Sequence, residues 1–215
     1  MKTAAITLLF LLVSPVLASG PVEPEWLKPG GDYAKIRAAL LKAHDDKQDV
    51  TTPLALAYEA SKDPTQKAWI AQLLYGLGIP SAEAKRVLMK DVKTQDRNLR
   101  LQVQWALGRV SGDDDVVAVL LENMLSDGNA LFRDKAACAL ASDQIHLSPK
   151  QKVKLYDGVI RGLASSEPQV RSISIQVLKI QTGQDKGYNP GAGEPERQTK
   201  IEEWRKWLKE YESNL

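Results

Sequence analysis

The chain is poor in cysteine, histidine and aromatic residues, and these shortages narrow the choice of fold and function. Because Cys138 is the single cysteine, no intramolecular disulfide can form, and the fold must depend on an ordinary core. The two histidines, His44 and His146, are far apart in the sequence, and neither has a metal ligand at helical spacing. We therefore expect no metal and no other cofactor, and we predict that Cys138, within an alanine-rich helix, is a small buried apolar residue.

The chain also lacks a strong excess of charge of either sign. Its formal net charge is +2 over 215 residues, which gives little electrostatic attraction to a nucleic-acid backbone. We therefore expect no nucleic-acid partner.

Long apolar runs are missing except at the N-terminus. Met1-Lys2 is a short positive start, Ala4 to Val13 is an uncharged apolar run, and Pro15 interrupts it shortly before Ala18. The run is too short to span a membrane as a helix. This layout predicts a secretory signal peptide at residues 1–18, cut after Ala18, with an uncleaved N-terminal anchor as the alternative. It also predicts a secreted or periplasmic protein of a bacterial envelope that is not inserted in the membrane once the signal is removed.

Proline and glycine are concentrated in residues 19–31, which we interpret as a linker from which Trp26 and Leu27 pack onto the first helices. Beyond it, the sequence shows helix signals and no alternating strand pattern. Helix starts are predicted where a capping residue precedes the apolar spacing or a proline, at Thr52-Pro53, Asp63-Pro64, Ser81, Asp96, Asp113-Asp114-Asp115, Ser148-Pro149 and Glu167-Pro168. Gly78, Gly128 and Gly183 are predicted helix ends.

A repeat is the strongest pattern in the sequence. A basic residue recurs at steps of 33, 33 and 38 residues, and a leucine follows seven residues after each one. The basic residues are Lys67, Arg100, Arg133 and Arg171, and the leucines are Leu74, Leu107, Leu140 and Leu178. A period of this length with helical apolar spacing predicts an all-α solenoid, since no single helix pair can bury its apolar stripe alone. We predict about five helix pairs in one domain, residues 32–215.

Residues 32–181 resemble the HEAT-repeat family, including its bacterial HEAT-like members. The resemblance is carried by an acidic or turn residue, an arginine and an apolar helix in successive units, as in Asp96, Arg100 and Leu107. It implies a right-handed superhelix. In such repeats aspartate and arginine form a ladder between units, so Arg100, Arg133 and Arg171 are expected to be structural ladder residues. Lys67 departs from this pattern.

The C-terminal part has a different composition. Residues 182–194 form a predicted glycine-rich loop, and residues 195–212 a helix with apolar residues on one face. Repeat stacks need an atypical terminal unit that covers the last apolar surface. We therefore predict that Trp204 and Trp207 are structural cap residues, with an aromatic binding patch as the alternative.

The residues give little direct indication of function. The resemblance implies that the second helix of each pair lines a concave surface, with Asn123 on its solvent side. We expect a partner protein to bind six charged residues there: Arg86, Lys90, Glu122, Lys154, Asp157 and Arg161. The favoured hypothesis is a non-catalytic protein-binding or scaffold module of the cell envelope. One alternative is an enzyme or metal-dependent accessory with a site in residues 182–194, where Asp185 and Asn189 could offer oxygens. Another is a purely structural part of a larger complex. The oligomeric state is left open.

Overall fold

The computed structural model describes residues 20–215, so the predicted signal peptide lies outside the described residues. The described chain contains ten α-helices and no strand, which confirms the all-α prediction. The α-helices are α1 (Tyr33–Asp45), α2 (Thr51–Ala60), α3 (Pro64–Leu77), α4 (Ala82–Asp91), α5 (Arg97–Val110), α6 (Asp114–Ser126), α7 (Ala130–Cys138), α8 (Pro149–Leu163), α9 (Pro168–Thr182) and α10 (Glu194–Ser213). A 3-10 helix, Pro24–Leu27, precedes α1, and a π-helical segment, Ala139–Asp143, continues α7.

The helices stack in two layers. The first helix of each pair packs against the first helix of the next, so that α1, α3, α5, α7 and α9 form one layer. In the other layer α2 packs against α4, and α8 packs against both α6 and α10. This arrangement confirms the predicted α-solenoid, whereas the right-handed turn of the superhelix stays a prediction.

One continuous apolar core runs between the layers. The recurrent leucines all lie in it, with at most 1% of each residue exposed: Leu74, Leu107, Leu140 and Leu178. Each repeat unit therefore adds one of these leucines to a core that all units share, as expected for a stack of units that cannot fold alone.

Most helix starts lie where the capping residues predict. The side chains of Asp63, Ser81 and Asp96 accept hydrogen bonds from backbone N–H groups of the first turns of α3, α4 and α5. Ser148 forms a capping box with Gln151, which satisfies backbone donors that have no partner inside the helix.

The predicted cap at Thr52 is wrong. Helix α2 begins at Thr51, two residues before the predicted first helical residue Pro53, and the carboxylate of Asp49 accepts hydrogen bonds from the backbone N–H groups of Thr51 and Thr52. An aspartate two residues before the helix therefore takes the role that was assigned to the threonine.

The proline-rich segment before α1 is attached to the stack. The indole Nε1 of Trp69 donates to the carbonyl oxygen of Trp26 at 2.7 Å, and the Gln66 amide donates to that of Leu27 at 3.4 Å. The side chains of Trp26 and Leu27 pack against the core, as predicted.

Two residues differ in burial from their predictions. Cys138 is exposed, because it ends α7 on the side that faces a shallow depression beside α9 and not the core. Asn123 is buried, with 2% of the residue exposed, and its amide points toward the carbonyl oxygen of Val92 at 3.5 Å. Asn123 is therefore not part of the solvent-facing surface. None of the helices in residues 20–215 combines the length and the apolar character needed to cross a membrane.

Candidate functional site

A groove of about 680 Å³ lies on the second layer, between α6 and α8. Its apolar lining comes from Val117, Ala118, Leu121, Leu125 and Val153. Its charged lining comes from Asp114, Glu122, Lys154, Asp157 and Arg161. An apolar floor with charged residues at its edge is the usual composition of a surface that binds another molecule.

Two glycines of α8 determine how closely α6 approaches. A Cβ atom added at Gly158 would lie 2.4 Å from Cδ1 of Leu121. One added at Gly162 would lie 2.9 Å from Cδ2 of Leu125 and 2.1 Å from Oγ of Ser174 on α9. Because Gly158 and Gly162 are four residues apart, they lie on the same face of α8. The groove floor therefore consists of leucine side chains that pack directly on the backbone of α8.

The structure brings four of the six predicted binding residues to this groove. The Lys154 ammonium pairs with Asp114 across the groove, and Arg161 pairs with Asp157 along α8 at 3.5 Å. At the other edge, Glu122 pairs with Lys93 at 2.5 Å. All of these side chains except Lys93 line the groove, which therefore has three acidic and two basic groups.

The other two predicted residues lie apart from the groove, on α4. Arg86 forms a two-pronged ion pair with Glu59 of α2, at 2.8 and 2.7 Å, and Lys90 reaches the same carboxylate at 2.5 Å. Hydrogen bonds from Arg86 and Lys90 lower the pKa of Glu59 to about 2, and those with Glu59 and Glu83 raise the pKa of Arg86. These charges join α4 to α2.

The acidic triplet at the start of α6 has a different role from the predicted one. Lys85 of α4 pairs with Asp113 at 2.7 Å and with Asp115 at 2.8 Å. Asp113 occupies the N-cap position, but its side chain makes no capping hydrogen bond. The hydrogen bond with Lys85 lowers the pKa of Asp113. Apart from the contact of Asp115 with the N–H of Val116 at 2.9 Å, the triplet connects α6 to lysines of neighbouring helices.

The residues predicted as a ladder lie between successive units. Arg100 pairs with Asp127, the residue after α6, and its guanidinium lies 4.1 Å from the ring centroid of Phe132. Lys67 makes the corresponding pair one unit earlier, with Asp91 at 2.8 Å. Lys67 therefore forms an ion pair between units, as the ladder arginine does, although it departs from the family pattern.

The last two arginines bind uncharged acceptors. Arg133 donates to the side-chain oxygen of Gln169 at 3.0 and 2.6 Å and to a backbone carbonyl. Arg171 donates to the carbonyl oxygens of Ser165, Ser166 and Pro190. The planar, multi-donor guanidinium can satisfy several carbonyl groups of a turn at once.

Helix α10 covers the end of the stack. Trp204 is fully buried, and Trp207 packs on it edge to face with ring centroids 5.3 Å apart. Trp207 also contacts Tyr156 of α8 at 5.3 Å between centroids. The ammonium of Lys186 lies 5.1 Å and 5.7 Å from the centroids of the two tryptophans, which covers them from the side of the preceding loop.

In the loop at residues 182–194, the side-chain oxygens of Asp185 and Asn189 accept hydrogen bonds from the loop's own backbone. The Asp185 carboxylate accepts from the N–H of Gly187 and pairs with Lys179, and the Asn189 side chain accepts from the N–H of Gly191. Within residues 20–215 there is no group of three or more histidine, cysteine or acidic side chains placed to hold a metal ion.

The two histidines and Cys138 are not assembled into a site. The Nε2 of His146 lies 3.0 Å from the carbonyl oxygen of Gly78 and 2.9 Å from that of Arg109. Since both neighbours are acceptors, this nitrogen carries a proton and connects two helix ends. Although the residue is exposed, partial burial of its sulfur in the depression beside α9 raises the pKa of the Cys138 thiol, the opposite of what an activated nucleophile needs.

Sequence reasoning missed several parts of the groove. Its apolar floor was assigned only to the core, and Asp114 was treated only as a cap. The spacing of Gly158 and Gly162 is a signal that could have been used, because two glycines one turn apart in a helix indicate close approach of a neighbour.

The stacked helix pairs agree with a family match that covers part of the sequence. No curated protein is similar enough to the whole chain to count as a relative. Residues 51–141, from the start of α2 to the π-helical segment, match the family described as HEAT repeats, and the stacked helix pairs have the architecture that this match implies.

Proposed function

We propose that the protein is a non-catalytic protein-binding or scaffold module of the bacterial cell envelope, and that the groove between α6 and α8 holds a segment of its partner. HEAT repeats commonly serve as protein-interaction scaffolds. The observation that carries the proposal is the groove itself, with its apolar floor and its charged edges of both signs.

The shape and chemistry of the groove fit an amphipathic helix of the partner. A helix can place an apolar stripe on Leu121, Leu125 and Val153 while its flanking charges reach Asp157 and Arg161. Leu125 and Val153 are partly exposed, so covering them would remove apolar surface from water. The exposed pair of Asp157 and Arg161 then contributes mainly to the choice of partner, since ion pairs in water add little affinity.

Photo-crosslinking tests the site. A photoreactive phenylalanine analogue replaces Ala118, which is exposed in the groove, and in a matched variant it replaces Gln176, which is exposed on α9 of the other layer. Irradiation of cells should give one discrete adduct from position 118 that position 176 does not give. Adding the double substitution D157R/R161E should remove that adduct. The same products from both positions, or none from position 118, would contradict the proposal and favour a purely structural role.

The location in the envelope is a separate part of the proposal, supported by the composition of residues 1–18. Intact-mass measurement of the protein recovered from the periplasm should give a chain that begins at Ser19. A chain that keeps residue 1 and remains in the cytoplasmic fraction would contradict it. The alternative of a metal-dependent site in residues 182–194 gains no support from Asp185 and Asn189, because their oxygens hold the turns of that loop.

A further inference from the structure

A second cavity, of about 300 Å³, opens on the other layer, across α1, α3 and α5. Three aromatic residues and two amides line it: Tyr33, Gln72, Tyr75, Gln102 and Trp105. No charged residue belongs to this lining. All five side chains are partly exposed. We call this cavity the aromatic pocket.

The repeat relates two residues of the pocket, Gln72 of α3 and Trp105 of α5. The step of 33 residues that relates Lys67 to Arg100 also relates Trp69 to Gln102 and Gln72 to Trp105. Gln72 of α3 and Gln102 and Trp105 of α5 line the pocket, whereas Trp69 is outside its lining and donates to the carbonyl oxygen of Trp26. The solenoid does not require this pattern, since the core is formed by other residues of the same helices.

Neighbouring contacts hold the rings in place. The rings of Tyr75 and Trp105 have centroids 6.4 Å apart and an interplanar angle of 47°, and the guanidinium of Arg109 lies 5.1 Å from the Tyr75 ring. The Tyr33 hydroxyl passes over Gly76, where a Cβ atom would lie 2.0 Å away. A glycine at this position is therefore needed for the observed place of Tyr33.

The amides are available to a ligand. Nearby side-chain hydrogen bonds, such as those of Arg37 with Gly76, Trp69 with Trp26 and Arg109 with Tyr75, do not use Gln72 or Gln102. Each amide offers both donors and an acceptor. The pocket thus combines apolar ring faces with uncharged groups that can donate and accept.

We propose that the aromatic pocket binds a neutral saccharide, with a pyranose ring on the face of Trp105 and its hydroxyl groups hydrogen-bonded to the amides of Gln72 and Gln102. Hydroxyl groups donate and accept, so they match both ends of an amide. The apolar C–H face of the sugar ring covers the indole, and the lack of charged lining residues favours an uncharged ligand.

A proline-rich peptide is the other ligand that aromatic grooves commonly bind. Its prolines lack the N–H groups that the amide oxygens of Gln72 and Gln102 would need as donors. The rings of Tyr75 and Trp105 are also inclined to each other and do not form a row of parallel ridges. Both observations favour the saccharide. The proposal does not depend on the groove between α6 and α8, which lies on the opposite layer.

The test uses the indole N–H signals of the full secreted chain in ¹H–¹⁵N NMR spectra. The chain has five tryptophans, so five indole signals are expected, and Trp105→Phe identifies one of them. Cellohexaose, maltohexaose and chitohexaose are titrated separately, with a proline decamer as a fourth probe. At least one saccharide should shift the Trp105 signal, with a Kd on the order of 1 mM, while those of Trp204 and Trp207 stay in place.

Variants locate the binding site. Trp105→Ala should weaken binding about tenfold or more, and Gln72→Ala and Gln102→Ala should each weaken it several-fold. Gln176→Ala, an exposed glutamine on α9, is the matched control and should leave the Kd unchanged. Thermal unfolding of each variant identifies any change that comes from misfolding.

Each remaining outcome overturns the proposal. If none of the three saccharides shifts the Trp105 signal at concentrations about tenfold above the expected Kd, the pocket has no such ligand. If only the proline decamer shifts it, the pocket binds peptides. If Gln176→Ala weakens binding as much as Gln102→Ala, the sugar binds elsewhere.

Discussion

Arg100 and Asp127 form an ion pair between two successive units, with only 6% and 11% of their side chains exposed. Lys67 and Asp91 form the equivalent pair one unit earlier, with 21% and 22% exposed. The two ion pairs differ in burial and in the cation, and Asp91 also accepts a hydrogen bond from the Tyr58 hydroxyl at 2.8 Å. They allow the cost of an unpaired cation to be compared at two depths of the same fold.

We expect Asp127→Asn to lower the free energy of unfolding by about 3 kcal/mol, because it leaves the Arg100 charge buried without a counter-charge. The same substitution at Asp91 should cost about 1 kcal/mol, since water still reaches Lys67. Urea unfolding of both variants gives the comparison. Equal losses at the two positions would show that burial does not set the cost.

The close contact between α6 and α8 gives a second prediction. Gly158→Ala places a Cβ atom 2.4 Å from Cδ1 of Leu121, so the leucine must move or the helices must separate. Overpacking costs about 1–3 kcal/mol, against a gain of about 1 kcal/mol in helix propensity, so we expect a net loss of roughly 1 kcal/mol.

Gly128→Ala is the control for this measurement. A Cβ atom at Gly128 would have no neighbour within 4 Å, so its effect should stay within about 0.5 kcal/mol. Urea unfolding distinguishes the two variants. A more stable Gly158→Ala variant would mean that Leu121 has room to relax, and that the approach of α6 is not limited by Gly158.

The fold was largely predictable because its determinants are local and repeated. The leucines at a constant offset from the basic residues are buried, and Asp63 and Asp96 cap the helices that follow them. The capping pattern gave a wrong prediction at α2, where a second residue near the helix start can also accept hydrogen bonds. Asp49 caps α2 in place of Thr52, since its carboxylate reaches the same backbone N–H groups.

The binding surfaces were harder to predict, because they combine residues from different units. Helical spacing places Lys154 and Asp157 on one helix face, but local patterns contain no information that Asp114 of α6 lies opposite. The aromatic pocket joins Tyr33 to Trp105 through packing of α1, α3 and α5. The step that relates Gln72 to Trp105 is visible in the sequence, but only stacking shows that both residues line one pocket.

Asp143 gives a prediction about pH. Burial raises the pKa of its carboxyl group, while a hydrogen bond with Tyr75 and the charge of Arg109 act in the opposite direction. The folded protein therefore holds this proton more tightly than the unfolded chain, whose aspartate has the ordinary pKa of 3.8. The contribution of the protonated Asp143 carboxyl group to the free energy of unfolding is therefore complete below pH 3.8. It is lost as the pH rises through the pKa of the folded state.

We expect Asp143→Asn to remove this loss, because the amide stays neutral. The free energy of unfolding of the variant, relative to the native protein, should rise as the pH increases above 3.8 and become constant above the raised pKa of the folded state. Urea unfolding across this range measures it. A difference that does not change with pH, or that falls as the pH rises, would show that Tyr75 and Arg109 outweigh burial.

Tyr188 attaches the glycine-rich loop to the stack, and this contact gives the last prediction. Only 6% of the residue is exposed, and its hydroxyl donates to the carbonyl oxygen of Leu163 at 2.5 Å. Tyr188→Phe leaves that buried acceptor without its donor, so we expect a loss of about 1 kcal/mol in the free energy of unfolding. Amide exchange in residues 183–193 should also become faster, because the loop loses a connection to α8.

Tyr211→Phe is the matched control, since Tyr211 lies partly exposed on α10 and packs through its ring against Trp207. It should leave both the unfolding free energy and the loop exchange nearly unchanged. Faster exchange in the loop without a loss of global stability would mean that the loop opens independently of the stack. Unchanged exchange in Tyr188→Phe would show that ring burial and the bond from Arg171 to Pro190 are sufficient to hold it.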